Sequence, residues 1–220
     1  MSQVKIVDSW LVEVNVSGYV SNFVVNDVDV TAFVDAELDR RHPERVPLRE
    51  MQTADDFRAM WDTIELLWSD TVARAKRLPE PALHNRVDDE WSFVETLRHL
   101  VFIADSWASR TVLDEPMPYH ALGVTQTAYA PAHAAALGID VDAHPSFAEV
   151  MKVRADRMGL VRGIVDGLNH TDLERMCVRA PAPGYPEESR SVGECLGVVM
   201  EEECEHHRFA VRDLAVLQAS

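Results

Sequence analysis

Basic residues are scarce in this chain: 21 Lys and Arg stand against 37 Asp and Glu in 220 residues, a formal charge of −16 with histidine neutral. Phosphate backbones are bound by clustered Lys and Arg, so this balance argues against a nucleic-acid partner and against an anionic membrane surface. The short cluster Arg40-Arg41 is followed at once by His42-Pro43-Glu44 and makes no basic stripe. Long apolar runs are lacking too. The longest, such as residues 100–104, fall far below the roughly 20 residues a membrane-spanning helix needs. Met1-Ser2-Gln3-Val4 shows none of the zones of a secretory signal, so a cytoplasmic location is expected. Cysteines number three, Cys177, Cys195 and Cys204, without a CxxC spacing. An odd set in a cytoplasmic chain reads as reduced thiols, not as a disulfide framework. Gly-rich phosphate loops and a GxSxG nucleophile turn are absent as well.

What the chain does have is a core: hydrophobic residues make up 47%, enough for one domain of ordinary size with a short appendage. The appendage is residues 1–42. Val12, Val14 and Val16 alternate with Glu13 and Asn15, the period of a half-buried strand, and Ser17-Gly18 is placed to turn into a second strand over residues 19–25. Two strands alone are barely stable in water, so this β arm must pack on the main body or pair with a second chain, which makes a homodimer an expectation. A short helix over residues 32–41 follows, stopped by Pro43 and Pro47.

Residues 43–220 read as an all-α four-helix bundle. The first long helix opens at Thr53-Ala54-Asp55-Asp56, carries Phe57, Met60, Ile64, Leu67, Trp68 and Val72 at helical spacing, and ends at Pro79 and Pro81. Ser92-Phe93-Val94-Glu95, Ser146-Phe147-Ala148-Glu149 and Ser191-Val192-Gly193-Glu194 are capping boxes that start the other three. Residues 114–145 form a long crossover between the second and third helices, and an irregular stretch with Ala180-Pro181-Ala182-Pro183-Gly184-Tyr185-Pro186 precedes the fourth.

The densest polar chemistry lies in the fourth helix, Glu201-Glu202-Glu203-Cys204-Glu205-His206-His207. Its apolar stripe runs through Val192, Leu196, Val199, Ala210, Leu214 and Leu217; Glu201, Glu205, Arg208, Arg212 and Cys204 fall toward solvent. A carboxylate and an imidazole four residues apart sit one turn above each other and can hold one metal. Both Glu202/His206 and Glu203/His207 straddle the apolar stripe, and periodicity does not choose between them. A lone pair of this kind also occurs on ordinary solvated helices. A third ligand from another helix would decide the matter, and the second helix offers His99. On a helical wheel it lies on the more polar side, with Glu95, Ser106 and Arg110, the place of a surface or hydrogen-bonded histidine.

Trp91-Ser92-Phe93-Val94-Glu95-Thr96-Leu97-Arg98-His99-Leu100, with Asp105 six residues after the histidine, resembles the second helix of DinB-like proteins, among them the mycothiol-dependent maleylpyruvate isomerases. The resemblance extends over roughly residues 53–217. It implies a divalent-metal site, zinc or nickel, made by one histidine of helix two and a Glu-xxx-His pair of helix four. Carried onto this sequence, that set is His99, Glu202 and His206, with Arg212-Asp213-Leu214 matching the family's downstream Asp-Leu. Asp105, Glu203 and His207 then become neighbours or alternatives, and Trp91, Arg98 and Trp107 become candidates to line a substrate site. The sequence ends directly after helix four, so no counterpart is expected for the additional C-terminal domain of the characterised isomerase.

Two histidines and one glutamate leave coordination positions open, the mark of a catalytic site. The resemblance implies a low-molecular-weight thiol, such as mycothiol, used against an electrophile in an S-transfer or isomerisation; no catalytic side chain is assigned. Two other readings share the fold. One is a non-catalytic scaffold or dimerisation module. The other is a metal-dependent hydrolase with Glu95 or Glu203 as its general base.

Overall fold

The four long helices open on one local device. In each, a hydroxyl accepts the amide three residues on, while the side chain at that third position accepts the amide of the capping residue: Thr53 with Asp56, Ser92 with Glu95, Ser146 with Glu149, Ser191 with Glu194. The computed structural model describes residues 4–16, 18, 20–127, 129–186 and 188–219. Its contacts divide the chain into Met1–Arg41 and His42–Ser220.

In the first unit, β1 (Val24–Val25) and β2 (Val28–Asp29) pair antiparallel across Asn26-Asp27, both at positive φ, and α1 (Thr31–Arg41) follows. Asn and Asp tolerate that left-handed conformation, which a two-residue hairpin turn requires. The strands expected earlier in the chain are corrected. Val12, Val14 and Val16 are irregular and exposed, with Val12 at 91%. Alternation specifies a strand only where one face is buried against a partner, and these residues bury neither face. Of the expected turn, Ser17, and of the expected second strand, Tyr19, lie outside the described residues.

The second unit contains α2 (Arg45–Glu50), α3 (Ala54–Ala75), α4 (Phe93–Ile103), α5 (Pro131–Ala136), α6 (Phe147–Gly167) and α7 (Val192–Ala219), with β3 (Met176–Cys177) paired to β4 (Arg190–Ser191) ahead of α7. Pro47 lies inside α2 instead of stopping a helix. It occupies the first turn, where backbone N–H groups have no helical partner to lose. The crossover is not wholly irregular, since α5 forms within it.

α4 continues as a π-helix over Ala104–Val112. Leu113 N–H reaches back five residues to the Ala108 carbonyl at 3.0 Å, and Thr111 Oγ1 donates to Ser106 O at 2.9 Å. Both stretches pack against α6 and α7, while α3 packs on the same two helices. The core is built from Trp61, Ile64 and Trp68 of α3, Leu97 and Leu100 of α4, Val161 and Val165 of α6, and Leu196, Val199 and Leu214 of α7. Among the described residues, no helix is long and apolar enough to cross a membrane.

Within α4 only Glu95 is not buried. The crossover folds over the face that would otherwise meet solvent, and Arg98 fastens it there. Its guanidinium, 6% exposed in its residue, donates to the carbonyls of Leu122 (2.8 Å), Ala143 (2.8 Å) and Asp140 (3.3 Å). Cys204 is likewise corrected from the solvent side to 3% exposure, because α2 packs on that part of α7 and Arg45 bonds Glu205 at 2.9 Å. Burial pushes its thiol up to about 12, with Glu44 adding to the effect.

Candidate metal centre

His99 reaches the interior from the middle of α4 and is 3% exposed. Its Nδ1 lies 2.9 Å from the carbonyl of Val124 in the crossover. A carbonyl only accepts, so Nδ1 donates to it, and Nε2 faces Glu202 Oε2 on α7 at 3.5 Å. One turn along α7, His206 Nδ1 stands 3.0 Å from the Glu202 carbonyl and 3.2 Å from its carboxylate. One donor atom from each of His99, Glu202 and His206 lies within 4.8 Å of the other two, and among the described residues this is the group with metal-ligand spacing.

Burial works against a charge on Glu202, but the imidazoles of His206 and His99 outweigh it and hold the carboxyl at about 2. The carboxylate is therefore ionised at neutral pH. Two imidazole nitrogens with a carboxylate oxygen suit a borderline divalent ion. The residues fit the metal. Trp91 closes one side: its ring is tilted over His99 at 4.6 Å between centroids and lies nearly parallel to His206 at 6.0 Å. Phe102 flanks His99 at 6.3 Å and Phe209 meets His206 edge-on.

The structure separates the two frames on α7. Glu203 and His207, one step round the helix, turn away from His99. Glu203 pairs with Arg154 of α6, both about 98–99% buried in their side chains by their 1% and 2% exposures. His207 Nε2 is 2.8 Å from Thr71 Oγ1, its ring edge-on to Trp68, and burial lowers its pKa and keeps it neutral.

Other residues picked from sequence have different work. Asp105, 1% exposed, binds Arg157 of α6 at 2.5 Å and accepts the His120 amide at 2.8 Å, so it ties the crossover to the π-helix. Arg98, a candidate to line a substrate site, gives Nε, Nη1 and Nη2 each to a backbone carbonyl of the crossover, and its acidic neighbour Glu95 pairs with Arg86. Trp107 packs between Tyr185, at 6.4 Å, and the guanidinium of Arg190.

Sequence reasoning missed the Val124 carbonyl, a backbone group without a residue signature. It also missed an aromatic wall of Phe102, Tyr129 and Tyr185. Two tyrosines placed in otherwise irregular, Pro-rich sequence were its only signal.

A family model described as the DinB superfamily matches residues 63–210. Comparison with curated proteins and with solved structures gives no match. The matched span contains most of α3, all of α4 and the part of α7 that bears Glu202 and His206. It covers well over half of the sequence, and the chain belongs to the DinB superfamily.

Proposed function

We propose that this protein is a divalent-metal-dependent enzyme that activates a low-molecular-weight thiol, mycothiol among the candidates, for S-transfer to, or isomerisation of, an electrophilic small molecule in the cytoplasm. One observation carries the reading: a donor atom from each of two imidazoles and one ionised carboxylate, on α4 and α7, lies within 4.8 Å of the other two. Three protein donors leave coordination positions for an exogenous ligand. When bound there, zinc or nickel would hold a thiol in its nucleophilic form near neutral pH.

The protein's own residues do the positioning. His99 is oriented by the Val124 carbonyl, Glu202 and His206 keep one helical spacing, and Trp91 covers the two rings. The hydrolase reading is less well supported, because its two candidate bases are occupied. Glu95 belongs to a capping box and to Arg86, and Glu203 belongs to Arg154.

The test is metal content of protein purified without a metal-affinity tag, beside His99→Ala and His206→Ala. Near-stoichiometric zinc or nickel that disappears in both variants is expected, with thiol consumption in the presence of electrophiles following the metal. Metal-free wild type that gains none on adding either ion overturns the reading and leaves a scaffold.

A further inference from the structure

Residues 4–16 carry eight large apolar side chains, each more than half exposed, with Trp10 at 93% and Val12 at 91%. Together they turn on the order of 1,000 Å² toward water, where each partner of a standard interface gives about 800 Å². The stretch contains no Pro or Gly and is rich in the β-branched residues that favour strands. Among the described residues, none of its backbone groups bonds another backbone group, so its amides and carbonyls are open to a strand from outside.

Its charges, Lys5, Asp8 and Glu13, select the strand that fits. Set antiparallel about Ser9, two copies of this segment place Lys5 of each against Glu13 of the other. The same register puts Val4 opposite Val14, Ile6 opposite Val12 and Val7 opposite Leu11, and the two-fold repeats each pair. Asp8 against Trp10 is the one mismatch in it. A parallel in-register pair would instead lay Lys5 on Lys5, Asp8 on Asp8 and Glu13 on Glu13, and like charges directly opposite are destabilising. Within the single chain a bend interrupts the run: Asp8 has φ 50°, and Ser9 Oγ donates to the Val7 carbonyl at 2.9 Å. Straightening it gives up one exposed hydrogen bond and takes Asp8 out of a left-handed conformation that costs energy to hold.

We propose that residues 4–14 pair with the same residues of a second copy of this chain, as an antiparallel two-stranded ribbon whose two-fold axis passes through Ser9. Cross-strand apolar pairs supply the attraction, and the two Lys5–Glu13 pairs fix direction and register. The second copy gives the alternation at Val12 and Val14 the partner that it lacks within one chain.

Sedimentation velocity of the full chain between about 1 μM and about 200 μM tests this, with a monomer–dimer equilibrium expected. Lys5→Glu and Glu13→Lys should each weaken the dimer about tenfold or more, because either one sets two like-charged pairs face to face. The double variant should restore it. Cysteine variants read the register. Ser9→Cys should give an intermolecular disulfide under mild oxidation, since opposed Cα atoms of an antiparallel pair lie about 4.5–5.5 Å apart. Asn15→Cys should give none, because its two copies stand about 40 Å apart in this register. A wild type that stays monomeric throughout overturns the proposal, as does a dimer that neither single reversal weakens or a double variant that stays dissociated. Cross-linking at Asn15 as efficient as at Ser9 overturns the antiparallel register.

Discussion

Glu202 and Glu203 are neighbours in sequence and face unrelated partners: Glu202 stands 3.5 Å from His99 of α4, and Glu203 is paired with Arg154 of α6. One step along α7, about 100° of rotation, separates the metal centre from the bundle's ionic core. Removing each carboxylate therefore has a different consequence. Glu202→Gln should lose metal, with affinity falling by at least about 10–100-fold, while the fold and its melting cooperativity persist. Glu203→Gln and His207→Ala should keep metal and lose stability. Elemental analysis and thermal melts on the three variants distinguish these outcomes, and metal loss in His207→Ala alone would reverse the assignment of the two frames.

The Arg154–Glu203 pair makes a second expectation. A buried ion pair gains in attraction roughly what it loses in hydration, so the cost lies in breaking one side of it. Arg154→Met should destabilise the protein by about 3 kcal/mol, and the double variant Arg154→Met with Glu203→Met should recover most of that loss. Denaturant titrations of the single and double variants measure the difference.

Acid should loosen all four helix starts together. Asp56, Glu95, Glu149 and Glu194 have carboxyl pKa values below their ordinary range: backbone and hydroxyl hydrogen bonds lower the three exposed groups, and at Glu95 burial opposes a larger combined lowering from Arg86 and Ser92. A depressed carboxyl stabilises the folded state fully above its unfolded pKa, near 4, and that contribution is lost as the pH falls toward the folded value. Stability should drop as the pH falls below about 4. Replacing Glu149 and Glu194 by Gln, which keeps an acceptor but no charge, should flatten the drop in acid denaturation followed by circular dichroism.

Asp105 behaves in the opposite sense. Burial raises its carboxyl to about 6 even though Arg157 and the His120 amide favour the charge. It takes up a proton on folding, so its contribution to stability declines as pH rises from about 4 to about 6. Arg157→Ala removes the cation and should cost about 3 kcal/mol at pH 8. The loss should shrink on acidification, because protonated Asp105 needs no counter-charge. Melting temperatures at pH 5 and pH 8 show whether the deficit moves this way.

The bundle was legible because its signals are local. Each long helix announces its start by a hydroxyl and a carboxyl three residues apart, and its faces by apolar spacing. Choosing between Glu202/His206 and Glu203/His207 was not a local question. Both pairs end up partly or wholly buried, one against α4 and the other between α3 and α6, and a single helix's periodicity contains no information about which neighbour lies on which side. His99 looked peripheral for a related reason. The crossover that covers it is irregular sequence, and its grip depends on backbone carbonyls taken by Arg98 and His99. Asp105 and Arg157 lie 52 residues apart and meet only after α6 docks. The N-terminal arm shows the converse failure, in which Val12 to Val16 alternate without a partner to make the alternation matter.

The π-helix over Ala104–Val112 bears on how this chain is compared with others. Closing its turns over five residues instead of four takes up extra sequence without extra rotation, so the residues before Ala104 and those after Val112 are out of phase with a straight helix of the same length. A helical wheel drawn at a constant angle from residue 93 to 113 therefore groups Ser106 and Arg110 with His99 as one polar side, whereas Ser106 is buried and Arg110 reaches the Ala180 carbonyl. Aligning this helix with a regular α-helical counterpart requires a gap inside that stretch. Without the gap, the ligand histidine and the arginine that anchors the Tyr185 segment cannot both be placed in register.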